Sequence, residues 1–343
     1  MWIAQASSAT ARFRGASAAT DRVVWASGSG GTIVRTADSG ATWTRVSIPN
    51  AEKLDFRDID AVSEHAAYAL SIGNGEQSRI YKTEDDGRTW QEQFVNHDPK
   101  GFLDAMAFWD AEHGIAFGDS IDAQFFVLLT ENGGREWTRV PPERLPPALP
   151  NEGAFAASGT NIAVIGGDRV WIGTGASDRA RVLRSSDRGR TWQVADTPIR
   201  SSESSGIFSI AFRDAQHGIV VGGDYRREGE AMDNAAVTAD GGVTWTPVSG
   251  LSGFRSVVAY LPKRSAVVAV GPSGTDYSTD DGRRWTPVPG PGFHTFTVSK
   301  SGDAGWGAGE NGTIARMTFA TRALIHVPNG PSAVSASART APR

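Results

Sequence analysis

Short apolar runs separated by turn-forming residues recur along the whole chain, a pattern that suits strands and tight turns rather than long helices. Within each unit, an apolar run such as residues 56–62 precedes a turn and a second run that ends in small residues, such as 113–118. A third run leads into a polar turn, and a tryptophan then opens a fourth. Four short strands per unit are typical of a propeller blade, so the sequence predicts an all-β propeller.

The polar turn occurs six times with the same plan. A hydroxyl residue opens it, Asp or Asn stands two residues later, Gly follows after two more, and Trp closes it. We call these copies, residues 36–43, 83–90, 130–137, 185–192, 238–245 and 278–285, the repeated turns. Their acidic or amide residues are Asp38, Asp85, Asn132, Asp187, Asp240 and Asp280, and their closing residues are Trp43, Trp90, Trp137, Trp192, Trp245 and Trp285.

Turn chemistry accounts for this plan. A short carboxylate or amide accepts hydrogen bonds from backbone N–H groups two or three residues further on, which closes a turn. Glycine adopts the positive φ that such a turn needs, and tryptophan buries a large surface against a neighbouring sheet. The repeated turns are therefore predicted to be structural rather than six ion sites, and no metal site is predicted.

The repeated turn resembles the Asp box, the S/T-x-D-x-G-x-x-W motif of BNR repeats in sialidases, related glycosidases and sortilin-type receptors. The copy at 238–245, with its second glycine, is more similar to the photosystem II stability/assembly factors and their bacterial relatives, some of them loosely labelled oxidoreductases. The resemblance extends from Trp25 to Arg316. It implies a propeller fold, and more distantly a sialidase-like ancestry, without fixing a function.

Seven blades are predicted in all. A seventh unit, residues 293–327, lacks the repeated turn, but its third run at 312–316 resembles the run at 31–35 in the first unit. A closed ring leaves no edge strand exposed, so the N-terminal residues 2–4 are expected to pair into blade 7. Residues 323–327 are the alternative closing strand, and the two could share that edge. Residues 1–327 are thus one predicted domain, and 328–343 a predicted disordered tail.

Composition narrows the functional classes. The 343 residues carry a net charge of -4 and no cysteine, which argues against nucleic acid as a partner and excludes disulfides and thiolate metal sites. No dinucleotide fingerprint or haem motif is present, so no cofactor is expected. No apolar stretch is long enough to span a membrane, and a monomer is expected. The resemblance implies export to the periplasm, while the lack of a signal peptide in this sequence leaves the cytoplasm open.

The candidate site lies at one mouth of the central channel, where the loops before first strands meet the loops between second and third strands. The longest such loops are 140–155, 196–208 and 222–234. First strands share a phenylalanine followed by a residue expected near the channel, which brings several charged side chains together. The predicted ligand-binding residues are Arg14, Arg57, Asp104, Glu152, Tyr225, Arg255 and His294. Converging guanidinium groups bind carboxylate or phosphate, although the same charges could instead pair with one another.

Two functions follow from this arrangement. The first is a non-catalytic binding or assembly protein that recognises a protein segment or a small anionic ligand at the arginine-bearing mouth. The second is a sialidase-like glycoside hydrolase or lyase for an acidic sugar, with Asp104 and Glu152 as the candidate carboxylates. The sialidase Arg-Ile-Pro motif is missing, and no catalytic residue is assigned, so the binding function is favoured. An enzyme should bring two carboxylates into one open pocket, whereas a binding protein could hold them in ion pairs.

Overall fold

The computed structural model describes residues 1–262, 264 and 266–319, which form seven antiparallel four-stranded sheets arranged as the blades of a propeller. The predicted seven-bladed all-β fold is confirmed. The last part of the predicted domain, including the alternative closing strand at 323–327, and the predicted tail at 328–343 lie outside the described residues.

The strands of each blade run outward from the central channel in chain order. Blade 1 contains β2 (Phe13–Ala18), β3 (Val24–Gly28), β4 (Thr32–Thr36) and β5 (Thr44–Val46). Blade 2 contains β6 (Asp55–Ala61), β7 (Ala67–Ile72), β8 (Arg79–Thr83) and β9 (Gln91–Val95). Blade 3 contains β10 (Leu103–Phe108), β11 (Gly114–Ile121), β12 (Gln124–Thr130) and β13 (Thr138–Arg139). Blade 4 contains β14 (Ile162–Ile165), β15 (Arg169–Gly173), β16 (Arg181–Ser185) and β17 (Gln193–Asp196).

The remaining blades follow the same order. Blade 5 contains β18 (Ser205–Phe212), β19 (Gly218–Asp224), β20 (Ala235–Thr238) and β21 (Thr246–Pro247). Blade 6 contains β22 (Val257–Leu261), β23 (Ala266–Gly271), β24 (Gly274–Ser278) and β25 (Thr286–Val288). Blade 7 contains β26 (Thr295–Val298), β27 (Ala304–Ala308) and β28 (Ile314–Thr318), and its outer strand is β1 (Trp2–Gln5). Short 3-10 turns occupy Gly75–Gln77, Pro142–Arg144 and Glu310–Gly312.

The pairing of β1 with β28 closes the ring, as predicted. Trp2 lies opposite Met317 and Gln5 lies opposite Ile314 in an antiparallel ladder. The Gln5 amide also donates to the Ser39 carbonyl at 3.0 Å and accepts from Trp43 Nε1 at 3.2 Å, both in the repeated turn of blade 1. One N-terminal strand therefore completes blade 7 and ties it to blade 1.

The hydrophobic core is divided among the contacts between blades. Seven clusters of buried apolar side chains each join two neighbouring blades, one cluster at every interface of the ring. The cluster between blades 3 and 4, for example, includes Ile115, Val170 and Trp192. An eighth cluster, which includes Phe208 and Phe254, lies at the channel instead of between two sheets. Apolar burial thus holds each blade to its neighbours, and the eighth cluster requires another explanation.

The repeated turns have the hydrogen bonds expected of structural turns. In the first copy, Asp38 accepts from the Thr36 hydroxyl at 2.7 Å and from the backbone N–H of Thr42 at 2.8 Å, and Gly40 has a φ of 91°. The Thr42 hydroxyl, which also donates to the carboxylate, is the main reason why the pKa of Asp38 falls to about 2. The other five copies repeat the opening contact between the hydroxyl and Asp85, Asn132, Asp187, Asp240 or Asp280.

Three blades, 2, 4 and 7, also reach the repeated turn of the next blade through a second-strand residue. The Tyr68 hydroxyl donates to the Gly133 carbonyl at 2.8 Å, and Trp171 Nε1 donates to the Gly241 carbonyl at 2.8 Å. Trp306 makes the equivalent contact from blade 7 to Ser39 of blade 1, at 3.4 Å. In addition to reversing the chain, the repeated turns that make these contacts supply backbone carbonyl acceptors, which fix the position of one blade relative to the next.

Candidate functional site

The antiparallel order of strands sorts the connections of every blade to two ends of the ring. Turns between first and second strands, and the repeated turns between third and fourth strands, share one end. The loops that precede first strands and those between second and third strands share the opposite end, which we call the channel mouth. A cavity of about 460 Å³ opens there, and all seven blades contribute residues to it.

A β-bulge at the start of the first strand aims side chains into this cavity. In blade 1 the ladder steps from Phe13 to Gly15 while its partner advances by one residue, so Arg14 is left as an extra residue. A bulge places its extra residue outside the ladder and redirects the side chain. The extra residues of the corresponding bulges in blades 2, 3 and 5 are Arg57, Asp104 and Phe208. All four extra residues line the cavity.

The small residues that end second strands are explained by the same bulge. A Cβ atom on Gly28 would overlap the carbonyl oxygen of Arg12, and one on Gly118 would overlap that of Phe102. The backbone just before the bulge therefore lies against the second strand, and only glycine leaves enough room there. The sequence pattern of small residues was thus an indirect sign of the bulge.

The floor of the cavity is a segment of blade 4, residues 154–160, which crosses the channel; we call it the channel plug. Its Ala156 carbonyl accepts from Arg57 of blade 2 at 3.0 Å, and its Ser158 hydroxyl donates to the Ser256 carbonyl of blade 6 at 2.8 Å. Its Thr160 carbonyl accepts from the backbone of Ile210 in blade 5 at 2.9 Å. Contacts to three other blades place the plug across the ring, so the channel is divided into two compartments.

The lower compartment, beyond the plug, has a volume of about 360 Å³. Asp58 and Asp60 from blade 2 lie along it, where burial raises the pKa of Asp60 to about 6 and that of Asp58 well above its usual range. Each carboxylate accepts a backbone hydrogen bond from blade 3, Asp58 from Met106 at 2.7 Å and Asp60 from Phe108 at 3.0 Å. These acids serve to join blade 2 to blade 3.

Three neighbouring blades form a basic sector of the cavity wall: His294 in blade 7, Arg14 in blade 1 and Arg57 in blade 2. Arg57 pairs with Asp55 at 2.9 Å, in addition to its contact with the plug. His294 Nε2 lies 2.7 Å from Glu310, and burial is the main cause that lowers the pKa of the imidazole, with the Arg14 charge next. The sector is therefore dominated by two permanent guanidinium charges.

Arg14 differs from its neighbours because no side chain among the described residues compensates its charge by a direct contact. Its Nε is buried and has no hydrogen-bond partner among the residues that the structure describes. The nearest acids are engaged elsewhere, since Glu310 pairs with Arg12 at 3.0 Å and Asp55 pairs with Arg57. Burial and then the Arg57 charge lower the pKa of Arg14 to about 10, which still leaves the side chain charged at neutral pH. The result is a partly buried cation that faces an open cavity.

Blade 3 contributes a pair of carboxyl groups beside the basic sector. Asp104 is 1% exposed, and it lies close to Asp119, near the far end of the same blade's second strand. Burial raises the pKa of Asp119 to about 6. Burial, together with the nearby charge of Asp119, raises the pKa of Asp104 well above its usual range. Ionising both of two neighbouring carboxyls costs free energy, because the two negative charges repel each other. The pair therefore retains a proton near neutral pH.

Blades 4, 5 and 6 form an aromatic sector opposite the basic one. Phe155 of the plug stacks on Phe208, with ring centroids 4.0 Å apart and planes 8° from parallel. Tyr225 meets both rings edge-on, at 6.3 and 6.2 Å, and Phe254 packs edge-on against Phe208 at 4.6 Å. The three phenylalanines belong to the eighth apolar cluster, and all four rings line the cavity.

Five of the seven predicted ligand-binding residues line the cavity: Arg14, Arg57, Asp104, Tyr225 and His294. Arg255 is fully buried, pairs with Asp276 at 2.6 Å and does not line it. Glu152 is likewise fully buried and pairs with Arg181, with its Oε1 accepting from Thr174 at 2.7 Å. The structure therefore brings five of the seven together, and the binding role of all seven stays a prediction.

Two features of the site were missed by sequence reasoning. The phenylalanine of blade 4, Phe155, was expected to pack between blades at the start of a first strand. That strand begins only at Ile162, and the intervening residues form the channel plug. The carboxyl pair was not predicted either, because nothing in the sequence pairs Asp119 with Asp104. The length of the loop at 140–155 was the available signal, since long loops are frequently functional.

Within the described residues, no group of three or more histidine, aspartate or glutamate side chains is arranged to hold a metal ion. The helical segments described are too short and too polar to cross a bilayer. The charged and aromatic groups that line the cavity include two guanidiniums, an imidazole, the carboxyl pair, the carboxylates of Glu203 and Glu228, and four aromatic rings of the aromatic sector.

Comparison with known proteins identifies the fold through solved structures alone. No family model matches the chain, and no curated protein sequence matches it. A structure described as YCF48 bound to D1 peptide is similar, with a TM-score of 0.67, 16% identity, and coverage of 93% of this chain and 97% of that one. YCF48 from Cyanidioschyzon merolae is also similar, with a TM-score of 0.65, 16% identity, and coverage of 92% and 98%. At this identity the likeness is one of fold, over nearly the full length of both chains.

Proposed function

We propose that this chain is a non-catalytic binding propeller that recognises a protein segment through an anionic group at the basic sector. The observation that carries the proposal is Arg14, a partly buried guanidinium without a compensating partner among the described residues, at the wall of an open cavity. An uncompensated charge in such a place is costly unless a ligand supplies the opposite charge. Support also comes from the similar fold of YCF48, which has been solved with a D1 peptide.

The geometry of the basic sector suits a carboxylate or phosphate. Arg14 and Arg57 stand at equivalent bulges of adjacent blades, so their guanidiniums approach one region of the wall. Guanidinium groups present several N–H donors in a plane and bind such anions with paired hydrogen bonds. Arg57 is held by Asp55 and by the plug, which fixes its position before a ligand arrives. Preorganised donors of this kind reduce the entropy lost on binding.

The glycosidase alternative is less well supported. Its proposed partner carboxylate, Glu152, lies outside the cavity in an ion pair with Arg181. The two carboxyls that do line the cavity together are Asp104 and Asp119, and the charge of Asp119 helps to raise the pKa of Asp104. A retaining glycosidase needs its two carboxyls roughly 5–5.5 Å apart and an inverting one needs a wider gap, so that a sugar or water fits between them. Glu152, the second carboxyl of the predicted pair, is buried and does not share the cavity with Asp104.

Isothermal titration with short N-acetylated peptides tests the proposal. Peptides with a free C-terminal carboxylate, or with an internal glutamate, should bind to the wild-type chain, whereas the uncharged C-terminal amide should not. The variant Arg14→Gln should lose binding by at least about tenfold, because charge-assisted hydrogen bonds contribute roughly 1.5–3 kcal/mol. Arg88→Gln, which removes an exposed arginine from a repeated turn, is the matched control and should bind as the wild type does. Equal binding of carboxylate and amide peptides would exclude the basic sector as the site.

Three further expectations belong with this proposal. We propose that the repeated turns are Asp boxes of the BNR type, that the protein acts outside the cytoplasm, and that it is a monomer. The turn geometry supports the first, and the family resemblance supports the second. Fractionation of cells that produce the native protein tests the location, and sedimentation analysis tests the monomer; a cytoplasmic pool or a stable dimer would contradict them.

A further inference from the structure

The aromatic sector is not required to hold two blades together. The seven interfaces between blades each have their own apolar cluster, and the aromatic sector is additional to them. Its members come from the plug, from a bulge and from two loops, which meet only at the channel mouth. An apolar cluster that faces an open cavity is a common element of ligand sites.

The rings of this sector differ in exposure. Phe208 and Phe254 are 2% and 3% exposed, so they form a fixed backing. Phe155 is half-buried, and Tyr225 is 43% exposed at the edge of the cavity. The stacked contact between Phe155 and Phe208 holds the first ring, and the Arg226 guanidinium lies 5.7 Å from the ring centre of Tyr225. Two supported aromatic surfaces are therefore available to a ligand.

The order of the blades fixes where these surfaces lie relative to the charges. The basic sector occupies blades 7, 1 and 2, the carboxyl pair occupies blade 3, and the aromatic sector occupies blades 4, 5 and 6. In a ring of seven blades the first and last of these groups face each other across the channel. A cavity of about 460 Å³ is large enough for a short stretch of peptide, since sites for drug-sized ligands span roughly 300–1,000 Å³.

Charges at the rim favour a single orientation of the ligand. Glu203 and Glu228 line the cavity on the aromatic side, and Glu203 pairs with Arg226 at 2.9 Å. An anion would be repelled there and attracted by Arg14 and Arg57 on the opposite wall. An apolar group of the ligand would instead lie at the aromatic sector, because only the aromatic surfaces offer it favourable apolar contacts.

We infer that the aromatic sector is a specificity subsite that takes a large apolar side chain next to the anionic group of the bound segment. Phe155 and Tyr225 contact this side chain, and Phe208 and Phe254 hold them in place. The ligand is accordingly a peptide segment in which a carboxylate lies beside an aromatic or large aliphatic residue. This inference rests on the proposed function. It adds a second contact to the anionic one, in which the aromatic sector binds a neighbouring apolar side chain of the same segment.

Titration with matched peptides tests the inference. Two N-acetylated peptides with free carboxylates differ only in the final residue, phenylalanine or alanine, and a third carries phenylalanine with a C-terminal amide. The wild-type chain should bind the phenylalanine peptide about tenfold more tightly than the alanine peptide, as expected for a buried aromatic contact. Tyr225→Ala should reduce this preference to about twofold or less by the same reasoning, and Tyr225→Phe should restore it. Val243→Ala, an exposed apolar residue of a repeated turn, should leave the preference unchanged.

The outcomes separate the two ideas. If the carboxylate peptides bind through Arg14 but phenylalanine and alanine bind alike, the aromatic subsite is wrong and the basic site stands. The same conclusion follows if the preference persists in Tyr225→Ala and in Phe155→Leu. If the amide binds as well as the free acid, or if no peptide binds, the basic site itself is wrong, and the subsite inference goes with it.

Discussion

At the end of the ring that carries the repeated turns, six copies of one phrase adopt one geometry, and in each copy the opening hydroxyl donates to the Asp or Asn of its own turn. At the channel mouth, the same bulge recurs in four blades, but the extra residues are arginine twice, then aspartate and phenylalanine. One end repeats its chemistry and satisfies it internally. The other repeats its backbone and varies the side chain that the backbone presents.

This difference separates support from recognition. A repeated turn with satisfied hydrogen bonds offers a ligand little, because its donors and acceptors are already used. A repeated bulge with different side chains builds a wall whose chemistry changes from blade to blade. At that end, Arg14 has a buried Nε without a hydrogen-bond partner among the described residues, and the Tyr225 ring is 43% exposed. The bulges, where different side chains occupy equivalent backbone positions, are therefore a better guide to the binding site than the repeated turns.

The largest contrast should come from one aromatic residue of each end. Trp192 is 8% exposed within an interblade cluster, and its Nε1 donates to the Gly189 carbonyl at 2.8 Å. Trp192→Ala should cost about 3–5 kcal/mol of unfolding free energy, the usual cost of deleting a large buried aromatic. Tyr225→Ala should cost about 0.5 kcal/mol or less, as is common at exposed positions. Chemical denaturation measures both values, and similar losses would contradict the separation of the two ends.

The two arginines that follow the phenylalanine in blades 1 and 6 sharpen the comparison within the mouth. Arg255→Gln breaks a fully buried pair with Asp276 and should cost about 3 kcal/mol or more. Arg14→Gln removes an uncompensated charge and should leave the melting temperature unchanged or higher, while ligand binding falls. Thermal denaturation together with titration distinguishes them. A strongly destabilised Arg14→Gln variant would mean that Arg14 is structural.

A smaller effect concerns pH. The pKa of Asp119 is raised to about 6 in the folded chain, against about 3.9 in an unfolded one. The stability that this group contributes is therefore fully present below about pH 4 and is lost as pH rises through 6. Asp119→Asn should remove that loss, so its melting temperature relative to wild type should increase from pH 4 to pH 7. Asp122→Asn, an exposed aspartate paired with Lys100 in the same connection, is the control for charge removal alone. A constant difference for Asp119→Asn would show that the carboxyl pair is not coupled to folding.

The smallest effect tests an exception among the repeated turns. Five copies have a threonine or arginine just before the tryptophan, and that side chain donates to the aspartate, as Thr42 does to Asp38. The third copy has Glu136 there, with Asn132 in place of aspartate. Asn132→Asp alone should destabilise the turn, because the new carboxylate is repelled by Glu136. Combining Asn132→Asp with Glu136→Thr should recover about 0.5–1.5 kcal/mol of unfolding free energy. A double-mutant cycle with no coupling would contradict this.

The repeat made most of the fold predictable from the sequence. The recurring phrase identifies six blades, the run at 312–316 identifies the seventh, and the closing role of β1 follows because a ring has no free edge. Each of these inferences needs only local patterns and a general rule of β-structure. They required no knowledge of which side chains meet across the channel.

The site was only partly predictable, because it depends on contacts between distant residues. Arg14 and Arg255 both follow a phenylalanine, and the sequence gives them the same expected place. Asp276, which is 21 residues beyond Arg255, draws that arginine into the core of blade 6, and no pattern announces this partner. Phe155 likewise shares the motif of a first strand but belongs to a segment that crosses the channel. Loop length indicated where such exceptions lie, although not what they do.

The pairing of β1 with β28 also bears on how the chain is made. Because Trp2 lies opposite Met317, β1 finds its partner only after all the other strands of the propeller have been synthesised. Until then both ends of the growing array present open strand edges, which are templates for pairing with other chains. Bringing such distant residues together is slow, because contacts between residues far apart in sequence form late. It costs little additional free energy, because the closure entropy grows only with the logarithm of loop length. The propeller strand that is made first is thus the last to be placed, and the time before its placement is when the propeller is most exposed to misassembly.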